Sequence, residues 1–177
     1  MMLKKIFAAL VTLLLASCSS VVKKPPATAR EVDLQRYMGT WYEIASFPNG
    51  FQKGCQQTRA SYTLEKNFVR VVNQCYRNGK ITRAQAKAWP VKGSGNARLK
   101  VQFFWPFKGD YWILDVSQDY QYALVGSPNR KYLWVLSRKK EISAAVYETM
   151  VQKARDKGYD VSRLVKTQQT SMLGGNQ

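Results

Sequence analysis

From Trp41 to Arg138 apolar residues recur at every second position, in short runs separated by Gly, Asn, Pro and Lys-rich turns. Alternation places successive side chains on opposite faces of an extended chain, so each run predicts a half-buried strand. The predicted strands cover residues 41–47, 57–65, 68–76, 81–89, a run around Leu99, Val101 and Phe103, then 111–116, 121–126 and 131–138. In the second, Ala60, Tyr62 and Leu64 alternate with Arg59, Ser61 and Thr63; in the third, Val69, Val71 and Asn73 alternate with Arg70, Val72 and Gln74. A two-residue hairpin at Lys66-Asn67 then sets Tyr62 opposite Val71 on one face. Asn78-Gly79 signals the next hairpin. In the strand after it Ala84, Ala86 and Ala88 make a face of small residues, which lines a space better than it fills one. Over 111–116 both faces are apolar, and the pattern leaves the inward face open.

Before the strands, Asp33 caps one expected helical turn through Leu34 and Tyr37. After residue 138 the period changes: Ser143 caps a helix on which Val146, Tyr147, Met150, Val151 and Ala154 share a face, and Gly158 stops it. A last strand at 163–168 and a flexible tail at 171–177 complete the reading. The prediction is an all-β fold, an eight-stranded antiparallel up-and-down barrel with one C-terminal α-helix packed outside. Such a barrel has room for one small ligand.

In a meander, successive loops alternate between the two ends. One rim then collects Phe47, Phe51 and Lys53, next Arg77 and Lys80, next Trp105, Phe107 and Lys108, and last Arg130 and Lys131. The stretch Trp105-Pro106-Phe107-Lys108-Gly109 is read as a loop, and large aromatics there suit either a binding lip or packing onto the barrel itself. Aromatics interleaved with cations around an apolar cup fit an amphiphile whose tail enters and whose anionic head stays at the mouth, as in a fatty acid or lysophospholipid. The wall residues expected are Tyr62, Val71, Ala84, Ala86 and Phe103, each equally readable as plain core. Glu43 shares the parity of Trp41, so its burial demands a partner.

The chain carries 28 Lys and Arg against 11 acids, a formal charge of +17, which favours anionic surfaces. It has no histidine, so the usual Ser-His-Asp and Cys-His arrangements cannot form. No enzyme activity, catalytic residue, cofactor or metal site is expected. The N-terminus begins with Lys4-Lys5 and an apolar run too short to span a bilayer, which reads as a secretory signal over 1–17. Leu15-Ala16-Ser17-Cys18 resembles a bacterial lipobox, which implies cleavage before Cys18, a thioether-linked diacylglycerol on its sulfur and usually an amide-linked acyl chain on its new N-terminus. More than one acyl chain is what stable anchoring takes. Ser19 in place of an aspartate implies the outer membrane. A lipid-anchored protein there rarely meets nucleic acid, so no nucleic-acid partner is expected. Residues 18–32 read as the lipidated start and a flexible tether, and 33–170 as one domain. Cys55 and Cys75 remain as an even pair in an oxidising compartment and predict a disulfide, provided Cys55 lies in an irregular segment before its strand.

Three short stretches, Gly39-Thr40-Trp41, Asp119-Tyr120 and Leu136-Ser137-Arg138, resemble the three short regions shared by lipocalins. Gly39 to Ala45, Phe103 to Phe107, Tyr122 to Val125 and Tyr132 to Arg138 are similar to the outer-membrane bacterial lipocalins and their relative apolipoprotein D. The resemblance implies that Gly39, Trp41, Asp119 and Arg138 close the barrel floor, with Arg138 lying across Trp41. It also implies that Trp134 faces the cavity and that fatty acids and phospholipids are the ligands. The expected function is an outer-membrane-anchored, periplasm-facing lipocalin that stores or carries amphiphiles in the envelope, with a homodimer left open. An envelope-interaction protein without a dedicated ligand and a lipocalin-type enzyme are the alternatives.

Overall fold

The computed structural model describes residues 24–169. The signal segment 1–17, Cys18 and the tail 171–177 lie outside the described residues. A one-turn helix α1 (Leu34–Tyr37) precedes eight strands: β1 (Gly39–Ser46), β2 (Gln56–Leu64), β3 (Val69–Arg77), β4 (Lys80–Pro90), β5 (Arg98–Phe104), β6 (Phe107–Val116), β7 (Tyr122–Gly126) and β8 (Leu133–Ser137). Helix α2 (Ala144–Asp156) and a two-residue strand β9 (Val165–Lys166) follow. Strands β2 to β8 pair in chain order, and β1 closes the ring by pairing with β8 on one side and β2 on the other. The result is the predicted closed eight-stranded barrel, with β9 added beside β1. Tyr62 stands opposite Val71, in the register that the two alternations required.

Because both faces of the wall carry apolar residues, the barrel has two cores. Trp41, Tyr62, Val71, Ala86, Leu99 and Val125 pack inside. Leu114, Leu124, Leu133 and Val135 point outward and are covered by Met150 and Ala154 of α2. Ser143 caps that helix, its Oγ accepting from Val146 N at 3.3 Å, which satisfies one of the free N-terminal amides. Tyr159, just past α2, donates its hydroxyl to the Ser127 carbonyl at 2.9 Å and fastens the helix end to the β7–β8 loop.

Three sequence expectations change. Residues 105–109 are not a loop: β5 and β6 extend to Phe104 and from Phe107, pair there, and leave only Trp105 and Pro106 in the turn, with a cis peptide between them. The expected last strand at 163–168 is present but shorter: Val165–Lys166 pair with β1, just after a 3-10 turn at Val161–Arg163. The expected tether is packed from Lys24 onward. Ala29 N donates to the Ile113 carbonyl at 2.9 Å and Val32 N to the Gly95 carbonyl at 2.8 Å, while Val32 is fully buried in the inner core. Gly95 permits this crossing, since a Cβ there would collide with the Arg30 carbonyl. Residues 24–33 are therefore a strap along the barrel.

Candidate ligand-binding cup

One end of the barrel is closed by its own side chains. Trp41 is fully buried and donates Nε1 to the Tyr37 carbonyl at 2.8 Å. The Arg138 guanidinium lies 3.9 Å from the Trp41 ring centroid. Arg138 donates Nη1 to the Thr40 carbonyl at 2.9 Å, and Nη2 to the carbonyls of Arg36 at 2.8 Å and Met38 at 2.7 Å. A weaker Nε bond to Tyr120 O at 3.3 Å reaches the β6–β7 turn. One cation thus satisfies four carbonyls from two separate segments, 36–40 and the β6–β7 turn, and burial pulls its pKa down from the ordinary arginine value. Gly39 has φ +94°, and a Cβ there would sit 3.2 Å from Arg138 Nη1. Asp119 is exposed and organises the β6–β7 turn, accepting from Ser117 Oγ at 2.6 Å and Gln121 N at 3.2 Å. Those bonds hold its carboxyl below the usual range.

Above Trp41 three tyrosines form a plug across the interior. The hydroxyls of Tyr37 and Tyr62 both lie 2.8 Å from that of Tyr111. Desolvation pushes Tyr62 up to about 12 and raises Tyr37 and Tyr111 well above the ordinary phenol value. All three are neutral hydrogen-bonding groups at physiological pH. Val71 and Ala86, neighbours of Tyr62 on the same rung, are buried against this plug. Of the predicted wall, Tyr62, Val71 and Ala86 therefore form a packed base.

The next rung toward the mouth is built differently. Ala60, Asn73 and Ala84 are paired in register across β2, β3 and β4 and share the inward parity of Tyr62. Ala60 and Asn73 are half-exposed and Ala84 is exposed. The small residues of this rung leave an open cup above the tyrosine plug. Ala60 and Asn73 were not singled out as ligand contacts from the sequence, although the alternation of β2 and β3 already placed both inward.

Trp134 is half-buried on the β8 side of this cup, opposite Ser46 of β1. Its Nε1 donates to Gln52 Oε1 at 3.1 Å, and its ring stacks on Tyr132 at 5.7 Å. Gln52 in turn donates Nε2 to Glu43 Oε2 at 2.6 Å. Glu43 is buried, and Ser46 Oγ at 2.9 Å and Thr167 Oγ1 at 2.5 Å donate to its other oxygen. These are the partners its inward parity demanded. Thr167 and Gln169 belong to the segment that fills the split where β1 and β2 diverge. Gln169 Nε2 bridges the Glu43 carbonyl at 2.6 Å and the Thr58 carbonyl at 2.8 Å.

At the mouth, the Cys55–Cys75 disulfide ties the β1–β2 loop to β3, with Cys55 one residue before β2 as the geometry required. Arg77 Nη2 reinforces the loop by donating to the Phe51 carbonyl at 2.8 Å. Trp105 and Phe107 lie at the tip of the β5–β6 hairpin, 86% and 77% exposed. A register shift between Val101 and Phe104 interrupts the alternation at Phe103, which is 39% exposed near the hairpin tip. One expected contact is corrected. Arg130 turns away from the mouth to the outside, donating Nε to the Lys157 carbonyl at 2.9 Å and Nη2 to the Lys24 carbonyl at 2.8 Å.

A closed meander barrel with an outer helix, a plugged floor and an open cup defines a lipocalin. The chain belongs to the lipocalin family: the lipocalin-like domain matches residues 32–169. It is 42% identical over 158 residues to temperature-induced lipocalin-1 of Arabidopsis thaliana, covering 84% of this chain and 85% of that protein. It is 37% identical over 172 residues to the outer membrane lipoprotein Blc of Escherichia coli (strain K12), covering 95% and 97%. Among solved structures, insecticyanin from the tobacco hornworm Manduca sexta superposes with a TM-score of 0.67 at 20% identity, over 84% of this chain and 85% of that one. Binding and transport of small hydrophobic ligands is the general work of this family.

Proposed function

We infer that the chain holds one fatty acid or lysophospholipid in the cup and is anchored in the outer membrane, facing the periplasm, by an acylated Cys18. The observation that carries this reading is the rung of Ala60, Asn73 and Ala84 lying open beneath an aromatic and cationic rim. The acyl tail rests on the base of Tyr62, Val71 and Ala86 and against Trp134. The anionic head stays beside Lys131 and the rim aromatics Phe103, Trp105 and Phe107, while Lys108 lies over the Trp89 ring at 4.7 Å on the outer face. Arg130 takes no part, since its guanidinium is engaged outside. Gly39, Trp41, Asp119 and Arg138 serve closure of the floor.

The test is native mass spectrometry of the chain purified from the cell envelope, with extraction and identification of whatever travels with it. A stoichiometric fatty acid or lysophospholipid, lost in Trp134→Ala, is the expected result. The same spectrum separates monomer from homodimer, and the mass of the N-terminal peptide reports acylation of Cys18. An empty barrel that shows no tryptophan response to anionic amphiphiles would overturn the carrier reading in favour of an envelope-interaction role.

A further inference from the structure

The mouth exposes more apolar surface than a single head group can cover. Phe104, Trp105 and Phe107 at the β5–β6 tip are 78%, 86% and 77% exposed, and Ile81 beside the β3–β4 turn is 57% exposed. Phe104, Phe107 and Ile81 are carried on paired strands and Trp105 on the tight turn that joins two of them, so this surface is held out in water by the fold itself. Aromatic and branched side chains in that setting mark a surface that is covered in use.

Charge separates the two ends. The mouth segments 47–56, 76–84, 103–109 and 127–132 contain seven Lys and Arg and no acid. The closed-end segments 65–68, 91–97, 117–121 and 138–143 mix five cations with Glu65, Asp119 and Glu141. Aromatics that enter the headgroup region, ringed by cations that meet anionic lipid, are the two terms of interfacial binding.

The strap supplies a third, independent observation. It begins on the outer wall in a groove shared with Asp115 and Lys153, where Arg130 donates to the Lys24 carbonyl at 2.8 Å and Lys157 Nζ to the Ala27 carbonyl at 3.1 Å. From there it descends outside β6 to the closed end at Gly95. Cys18 stands six positions before Lys24, a reach of at most about 20 Å. An anchor on Cys18 therefore keeps the barrel close enough to its membrane for the rim to meet the same surface.

We propose that the rim is a docking surface for an anionic bilayer, and that the strap holds the barrel mouth-first on the membrane carrying its anchor. The amphiphile then passes between bilayer and cup without crossing water. The orientation rests on the reading that Cys18 is acylated; the docking surface does not.

The experiment uses the chain from Ser19 onward, which keeps every described residue and both cores. It is floated with vesicles of phosphatidylglycerol and phosphatidylethanolamine, and with vesicles of phosphatidylcholine alone. Binding to the anionic vesicles at least tenfold tighter is expected, with Trp105 emission quenched by brominated acyl chains. Phe104→Ser combined with Ile81→Ser lowers that binding at least tenfold while its circular dichroism stays unchanged. Lys139→Glu combined with Lys140→Glu, at the closed end, changes it less than twofold. No vesicle binding, or equal losses from the two pairs, overturns docking at the rim. A lysophospholipid titration read at Trp134 runs beside it. Titration without rim-dependent docking leaves the cup and removes this proposal, whereas docking without titration does the reverse. For the orientation, the acylated chain on the same vesicles is expected to show the Trp105 quenching, and its absence there overturns the mouth-first arrangement.

Discussion

At the closed end a tryptophan and an arginine are stacked and tied to backbone carbonyls from two segments, whereas at the mouth Trp105 is 86% exposed at the tip of the β5–β6 hairpin. Both ends use an aromatic ring and a cation. The floor uses them for cohesion, since Arg138 satisfies carbonyls that closure leaves without strand partners. The rim leaves the same chemistry unspent, which is the condition for binding something else. The comparison also locates the stability of the molecule: the floor, the tyrosine plug and the strap make one packed unit, and the upper wall is carried by it.

The largest test of this division is Trp41→Ala against Trp105→Ala. Removing the buried indole takes out its packing and its bond to Tyr37, a loss of about 3–5 kcal/mol. Removing the exposed one changes stability by no more than about 0.5 kcal/mol. Urea unfolding of the two variants reads both numbers, and similar values for the pair would contradict the assignment of stability to the floor. Next in size is the mouth's own covalent tie. Replacing Cys55 and Cys75 together by alanine opens a crosslink with a sequence separation of 20 and costs about 3 kcal/mol on the loop-entropy model. It also frees the Phe51 loop, so ligand affinity falls along with the unfolding midpoint.

The tyrosine plug predicts a pH dependence with a definite sign. Burial raises Tyr62 to about 12, with Tyr37 and Tyr111 also raised, so folding favours the protonated phenols. That stability is fully present below the unfolded phenol value of about 10 and is lost as the pH climbs through the folded values. Unfolding free energy is expected to hold up to about pH 10, then to fall by on the order of 2 kcal/mol for Tyr62 by pH 12. Chemical unfolding at pH 8, 10 and 11.5 follows the curve, and a decline complete before pH 10 would exclude the plug as its cause.

The barrel was legible because alternation is a local signal and repeats in every strand; Tyr62 facing Val71 needed only two runs and a turn. Arg130 was not, because its partners lie 27 and 106 residues away and nothing near it marks them. The same holds for Glu43, whose partner Thr167 is 124 residues distant. Parity itself fails at bulges. The register shifts between Val101 and Phe104, and no residue in that stretch announces it. The apolar run of β6 hid Tyr111, since both its faces are covered, one by the plug and the other by α2.

The smallest expected effect on stability gives the sharpest reading of where the floor ends. Ala84 and Ala86 sit two residues apart on the same inward face of β4, opposite Asn73 and Val71. Ala86 is 6% exposed and packed on the tyrosine plug, while Ala84 is open. A tryptophan at 86 must displace Val71 or Tyr62 and is expected to cost about 1–3 kcal/mol through overpacking. A tryptophan at 84 has room and is expected to leave the unfolding free energy within about 0.5 kcal/mol. It occupies the space the acyl chain needs, so lysophospholipid affinity falls at least tenfold on a protein that is otherwise intact. Equal destabilisation by the two substitutions would mean that the packed plug extends up to the mouth and that the cup is filled by its own side chains.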